Sequence, residues 1–356
     1  MKKILTVLVL IITLIIPQLG CNSQVNNQGI GKSSYHLNTI CAVTIYSMEG
    51  VEDLDESAIQ KKALQLITDS FALCDEYEKI LSKTIEGSDI YNINHAGGQA
   101  VAVDERTIEV VSKGLEYSQL SNGAFDITIG KVSDIWNFKE MDDQGNHIGT
   151  IPDNEVIDAA MNHVDYSKVV IEGNTIRLQD PEAELDLGGI AKGYIADKVA
   201  ELLESKGVTS AVVDLGGNIV VIGQKGESIS NPVGVDFSVG IADPNSDGLL
   251  GLLKCEDKTV VTSGTYERYF ELDGKRYHHV LDTNTGYPAD TDLLAVTIIA
   301  DKGHSVDCDG LSTSCLALGK EKGLKLIQGL VGVQAIFIDK DGKVTMSDDS
   351  IELVTS

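Results

Sequence analysis

The sequence predicts an α+β protein with mixed or antiparallel sheets and flanking helices. Apolar residues recur at helical steps in two early segments. They are Ala58, Leu64, Ile67, Phe71 and Leu73 within 57–80, and Ile108, Val111, Leu115 and Tyr117 or Ser118 within 107–120. After residue 165 short strand-like runs dominate. Asp341-Gly342 is a hairpin-type turn near the end.

In chain order, Thr39–Tyr46 reads as the first strand. Val169–Ile171, Thr175–Leu178, Ala211–Leu215, Ile219–Ile222 and Val239–Ala242 follow the two helices. Thr259–Thr262, Tyr266–Leu272 and Leu294–Ala300 continue the series. Helices over 307–319 and 320–330 precede a last strand at Gln334–Ile338. No repeat period is present.

Lys2 and Lys3 precede an apolar run from Ile4 to Ile16, and Leu19-Gly20-Cys21 follows. This reads as a bacterial lipoprotein signal over 1–20, with Cys21 as the lipidated first residue. Gln18 stands where an aliphatic residue is usual; an ordinary secretory signal or a short anchor is the alternative. Each reading places the chain outside the cytoplasm. Residues 21–34, rich in Asn, Gln, Ser and Gly, are expected to be a flexible tether, and 35–356 a single folded unit. No later segment has the uncharged length of about 20 residues that crosses a membrane.

The net charge of −26 excludes nucleic acid, which needs a basic face. An anionic ligand would need a local cation, a helix N-terminus or a metal. Beyond Cys21, five cysteines remain: Cys41, Cys74, Cys255, Cys308 and Cys315. An odd number without a C-x-x-C pair is expected to be core packing.

Asp-Leu-Gly-Gly occurs twice, at 186–189 and 214–217. The first copy runs into a helix pattern in which Ala191, Ile195, Val199 and Leu202 share one face. Lys192, Asp197, Lys198, Glu201 and Glu204 fall elsewhere, and Gly207 stops the helix. A glycine pair at a strand-to-helix turn suits an anion such as phosphate, although two tight turns explain the spacing equally well. Neither standard glycine-rich nucleotide motif is present.

Asp309 and Thr313 lie four apart on one helix face, with Ser312 beside them. These hard oxygen donors suit magnesium, but Asp309 lies near a helix start, and spacing alone favours a cap there. His278 and His279 precede Asp282 and a Thr-Gly-Tyr-Pro turn. Either a general base or a pair of exposed strand histidines fits that pattern. Asp126, in Gly-Ala-Phe-Asp, could bind a ribose or an amine or could cap its own turn. No G-x-S-x-G elbow is present.

The stretches LSKTIEGSDIYNIN, SNGAFDITIG with Trp136-Asn137-Phe138, DLGGIAKGYIADK, VDLGGNI, TSGTYERYF, HHVLDTNTGYP and DCDGLSTSCLALG follow one another in that order. Together they closely resemble the ApbE family of FAD:protein FMN transferases, from about residue 36 to the C-terminus. The resemblance implies a two-lobed, T-fold-like unit. It also implies Mg2+-dependent transfer of FMN from FAD to a Thr or Ser hydroxyl of an acceptor protein, with AMP released. The acceptor would be a membrane electron-transport subunit, and the transferase would be lipid-anchored outside the cell membrane.

The resemblance further implies residue roles. The metal would be held by the Ala191 carbonyl, Asp309 and Thr313, with Ser312 close by. The FAD pocket would use Leu37, Thr84, Ala124, Phe125, Asp126, Gly188, Tyr194 and Leu281. His279 would take the acceptor proton and Asp282 would orient it. The second Asp-Leu-Gly-Gly would support the flavin or adenosine side. This chain departs from the family at Thr84, where an aromatic side chain often stacks on the flavin. It departs again at Thr283, where proline often follows the motif aspartate. An FAD pyrophosphatase and a non-catalytic flavin-binding lipoprotein are the competing readings.

Overall fold

The structure is a computed structural model, and it describes residues 29–138, 148–226 and 234–354. Its main sheet has eight strands, in the order β1 (Ile30–His36), β2 (Thr39–Met48), β6 (Val208–Leu215), β7 (Asn218–Ile222), β10 (Lys258–Gly264), β13 (Leu293–Asp301), β14 (Gln334–Asp339) and β15 (Val344–Met346). Each neighbouring pair is antiparallel. Small antiparallel sheets join β3 (Val101–Ala102) and β4 (Val169–Glu172) to β5 (Thr175–Leu178), and β8 (Phe237–Ala242) and β16 (Leu353–Val354) to β9 (Leu249–Cys255). The hairpin β11 (Tyr269–Leu272) and β12 (Lys275–His278) stands apart.

Eight helices flank the sheets: α1 (Glu56–Leu81), α2 (Asp89–Asn94), α3 (Glu105–Leu120), α4 (Gly130–Trp136), α5 (Asn154–Met161), α6 (Ala191–Ser205), α7 (Ser305–Leu318) and α8 (Lys320–Gln328) among the described residues. None is long and apolar enough to cross a membrane.

The central strands are buried on both faces, which explains their nearly unbroken apolar runs. Val220, Val261, Val296, Ile298 and Phe337 pack with residues of α1, α6 and α7 in the large core. Their neighbours Val221, Val260, Ala295, Ile299 and Ile336 face β8 and β9 on the other side. A third cluster gathers Trp136, Phe138, Phe270, Leu281 and Ile157. Trp136 Nε1 donates to the Gly286 carbonyl at 2.7 Å and so pins the Thr-Gly-Tyr-Pro loop. Gly286 has φ +71, where a side chain would be strained.

Several expectations change. Residues 30–34 belong to β1 rather than to a tether, paired in register with β2. Polar Lys32, Ser33 and Ser34 are tolerated because this is an edge strand with exposed side chains. The strand expected from Tyr266 begins only at Tyr269, because 265–268 turn to form a wall of the site. Helices α2, α4 and α5 are too short for their periodicity to register in the sequence. The five cysteines are free and buried, as expected, and Cys21 lies outside the described residues.

Helices α6 and α7 approach closely because Gly193 has no side chain. A Cβ there would run into the Ser305 carbonyl and stand 2.7 Å from Asp309 Cβ. Two carboxylates reinforce the contact in opposite directions. Asp309 of α7 accepts the Gly193 N–H at 2.9 Å. Asp197 of α6 accepts the Ser305 and Val306 N–H groups, each at 3.0 Å, and caps α7. Asp197 is therefore buried although the helical pattern put it off the apolar face, and burial raises its carboxyl to about 6.

Overpacking a helix contact typically costs about 1–3 kcal/mol. Gly193→Ala should therefore lower the urea-unfolding free energy by about that amount. It should also reduce activity, since the contact places Asp309. A variant as stable and as active as the parent would show that the helices can part at no cost.

Candidate active site

A cavity of about 310 Å³ opens beside the α6–α7 contact. Its walls come from the β1–β2 turn (Leu37, Asn38), the end of α1 through Thr84, Ala124–Asp126, and Asn137-Phe138. Asp186–Gly189 with Ala191 and Lys192, the 263–268 segment, 279–283, and Asp309 with Thr313 complete it. Thus the first Asp-Leu-Gly-Gly lines the cavity. A Cβ on Gly189 would stand 2.9 Å from the Phe125 ring and 3.3 Å from the Thr313 hydroxyl, so glycine keeps that space open.

The second copy is a tight β6–β7 hairpin turn outside the cavity wall. Gly216 and Gly217 have φ +65 and +89, and Gly217 N–H donates to Asp214 at 2.9 Å. It does not line the cavity, and its glycines serve the left-handed backbone of the turn.

Asp309 and Thr313 do share a face and both line the cavity. Asp309 is 2% exposed, and burial raises its carboxyl pKa against the opposing effects of Lys192, the Gly193 N–H and Asn218. It is not the N-cap of α7, whose first N–H groups go to Asp197. Ser312 is displaced from the expected donor set. It is buried, and its hydroxyl lies 2.8 Å from Ser263 Oγ and 3.0 Å from the Asp309 carbonyl. One residue along a helix turns the side chain by about 100°, which puts Ser312 behind the wall that Thr313 forms.

Among the described residues no group of three or more His, Cys, Asp or Glu converges as a metal cage. The donors available are one carboxylate, one hydroxyl and the Ala191 backbone. That oxygen set fits Mg2+, which takes one or two carboxylates and completes its shell with phosphate and water, and does not fit a structural zinc.

His279 faces the cavity and is otherwise packed round by protein. Its Nδ1 lies 3.3 Å from the Arg268 carbonyl, which can only accept. The proton therefore sits on Nδ1, and Nε2 keeps its lone pair. Desolvation, with Arg268 and His278 nearby, lowers this imidazole to about 3. Asp282 does not orient it. The Asp282 carboxylate instead bonds Asn284 N at 2.9 Å and Thr285 Oγ1 at 3.2 Å, closing its own turn. His278 is not exposed either: its Nε2 donates to the Ala289 carbonyl at 3.2 Å, and burial lowers it to about 4.

Leu37, Thr84, Ala124, Phe125, Asp126, Gly188 and Leu281 all reach the cavity. Asp126 also serves its own turn, accepting from Thr128 N at 2.8 Å and Tyr166 N at 3.1 Å. Tyr194 does not reach it. Its ring packs edge-on against Tyr77 and its hydroxyl donates to Glu109, because position 194 lies on the core side of α6.

The sequence reading missed Lys83, Lys192, Glu267, Arg268, Ser263 and Phe138 as wall residues. Lys83 is held by Asp134 at 2.7 Å, Asp186 at 3.2 Å and Ser133 at 2.8 Å, tying the end of α1 to the glycine turn. All six stood in stretches that were singled out, LSKTIEGSDIYNIN, Trp136-Asn137-Phe138, DLGGIAKGYIADK and TSGTYERYF, but no spacing within those stretches marked them as wall residues.

The chain matches the family model described as "ApbE family" over residues 37–337. It is 32% identical to the FAD:protein FMN transferase of Treponema pallidum, covering 94% of this chain and 91% of that protein. It is 36% identical to a Klebsiella pneumoniae protein of the same name, covering 78% and 83%. The crystal structure of the ApbE protein of Thermotoga maritima superposes with a TM-score of 0.77 at 27% identity, covering 90% of this chain and 97% of that one. The apo flavinyl transferase ApbE of Pseudomonas stutzeri gives 0.73 at 29%, covering 90% and 94%. With the match running through every wall of the cavity, the chain belongs to the ApbE family.

Proposed function

We propose that the protein is an FAD:protein FMN transferase that moves the FMN part of FAD onto a Thr or Ser hydroxyl of an acceptor protein, releasing AMP. The observation that carries the chemistry is His279, held by the Arg268 carbonyl with Nε2 unprotonated, across one cavity from Asp309 and Thr313. An alcohol is a weak nucleophile at neutral pH, and a positioned base supplies about 10²–10⁴-fold.

His279 Nε2 takes the hydroxyl proton as the oxygen forms its bond to the FMN phosphorus. The bond from that phosphorus to the bridging oxygen breaks, and its electron pair leaves with AMP. Asp309, Thr313 and the Ala191 carbonyl would hold Mg2+, which when bound neutralises pyrophosphate charge. Leu187, Val280 and Leu281 keep the walls near the reacting groups apolar and limit water. Phe125 and Phe138 supply the aromatic surface that Thr84 lacks.

Incubation with FAD, Mg2+ and a recombinant, unflavinylated electron-transport subunit, read by mass spectrometry, tests this function. A mass gain equal to FMN supports transfer. Free FMN beside an unmodified acceptor contradicts it in favour of hydrolysis, and intact FAD contradicts catalysis.

His279→Ala should bind FAD nearly as well as the parent and transfer at least about a hundredfold more slowly. His278→Ala should lose stability rather than rate. The base assignment fails if His279→Ala keeps the parental rate or loses only FAD binding. The depressed imidazole carries a further consequence. A base with a free-enzyme pKa of about 3 is already neutral above pH 5, so kcat/KM for FAD should show no acid limb near pH 6.5. An inflection there, absent in His279→Ala, would contradict the buried environment of this ring.

Asp309→Asn preserves shape and the oxygen that accepts from Gly193, yet removes the charge. It should fold normally and lose Mg2+-dependent turnover at all but saturating magnesium. Unchanged magnesium dependence would remove Asp309 from the donor set.

We also infer that the mature protein is lipid-anchored outside the cell membrane through Cys21. The support is the basic, apolar and small-residue order ending at Leu19-Gly20-Cys21. Cys21→Ser should block acylation and leave the precursor unprocessed. An acylated or normally cleaved Cys21→Ser protein would refute the lipidation site.

A further inference from the structure

The cavity contains three cationic side chains, and they are not equivalent. Lys83 is neutralised by Asp134 and Asp186. Arg268 reaches back to the Asn38 carbonyl at 3.4 Å, bracing the β1–β2 turn. Lys192 lines the cavity from the first turn of α6, one residue past Ala191. Among the described residues it has no carboxylate oxygen within 4.0 Å and no hydrogen-bonded partner.

Its charge nevertheless acts on groups from several separate elements. It lowers Asp309 on α7, Asp214 on β6, Glu267 in the 265–268 turn and Cys41 on β2, and it disfavours protonation of His279. Of these groups, Asp309, Glu267 and His279 line the same cavity as Lys192. Among the described residues it has no close ion-pair or hydrogen-bond partner, whereas Lys83 and Arg268 have theirs, in a chain with a net charge of −26. An unpaired ammonium at the head of a helix, where N–H groups add positive potential, is a site for phosphate oxygen.

We propose that Lys192 is a catalytic residue that contacts the FAD pyrophosphate and stabilises the charge arriving on AMP as it leaves. This rests on the transferase reading above. As the acceptor oxygen bonds to the FMN phosphorus, the electron pair of the broken P–O bond settles on the AMP phosphate. The Lys192 ammonium faces that developing charge, keeps its own protons, and leaves the hydroxyl proton to His279. A group that meets charge mainly in the transition state shows in kcat more than in substrate affinity. Lys192 thereby takes the leaving-group side of the reaction and His279 the nucleophile side.

The test uses the full mature chain with FAD, Mg2+ and the recombinant acceptor subunit. The parent is assayed first. A parent that binds FAD and never modifies the acceptor sinks the transferase reading and this proposal with it. With a working parent, Lys192→Met should slow single-turnover FMN transfer by about 10²-fold or more, while the FAD dissociation constant changes by less than about tenfold. Lys192→Arg should retain most of the rate. Millimolar ethylamine should restore part of the rate to Lys192→Ala, which a merely structural role would not permit. Transfer by Lys192→Met within about threefold of the parent overturns the assignment. So does a defect confined to FAD affinity, or a Lys192→Ala variant that ethylamine leaves unchanged.

Discussion

The site depends on the mutual clamp between α6 and α7. Asp309 of one helix holds a backbone N–H of the other, and Asp197 returns the bond to the first N–H groups of α7. Gly193 makes this possible because a Cβ there would meet the Ser305 carbonyl and Asp309 Cβ. The same two helices carry Ala191, Lys192, Asp309 and Thr313, so the contact that builds the core also sets the spacing of the candidate metal and phosphate groups. Buried carboxylates are costly unless bonded, and here each is satisfied by main-chain donors of its neighbour. The cost of burial is met by the geometry that the chemistry needs.

A second constraint is charge. An acidic chain must bind a substrate that carries a pyrophosphate. The cavity walls do not reverse that sign: Lys83, Lys192 and Arg268 stand among Glu78, Asp126, Asp134, Asp186, Glu267 and Asp309, so a pyrophosphate there would depend on these few cations and on a divalent ion to offset the carboxylates. These cations do different work. Lys83 is consumed in fixing the glycine turn through Asp186. Arg268 fixes the tautomer of His279 through its carbonyl and braces the β1–β2 turn with its guanidinium. Lys192 is left for the ligand. The lowered imidazole of His279 follows from burial beside Arg268, and the raised carboxyl of Asp309 from burial against the opposing effect of Lys192.

Much of this was legible in the sequence where period or residue order carried information. The long helices α1 and α3 and the apolar strands of the second half lie where their spacing predicted. The Asp309/Thr313 face and the first glycine pair converge in one cavity, as the four-residue step and the strand-to-helix turn suggested. What could not be read depends on tertiary contacts. Tyr194 and Ser312 stand beside true wall residues in sequence yet point into the core, because helix rotation fixes which side faces the cavity. Asp282 spends its carboxylate on its own loop, and the partner of His279 is a backbone carbonyl that no side-chain pattern encodes. The two Asp-Leu-Gly-Gly copies are alike in sequence, but only one precedes a helix, and only that one lines the cavity. Edge strand β1 was hidden by its polar surface, since an edge needs hydrogen-bonding partners more than apolar side chains.

The central claim is that one cavity holds the metal on α7 and the base beside it, with the substrate phosphates between. Crystals grown with FAD and Mn2+ in place of Mg2+ would locate the metal directly by its anomalous signal. The expected peak lies within coordination distance of Asp309 and Thr313 oxygens, with the pyrophosphate between it and His279 Nε2. A peak elsewhere, or a pyrophosphate bound away from the first turn of α6, would contradict the assigned site.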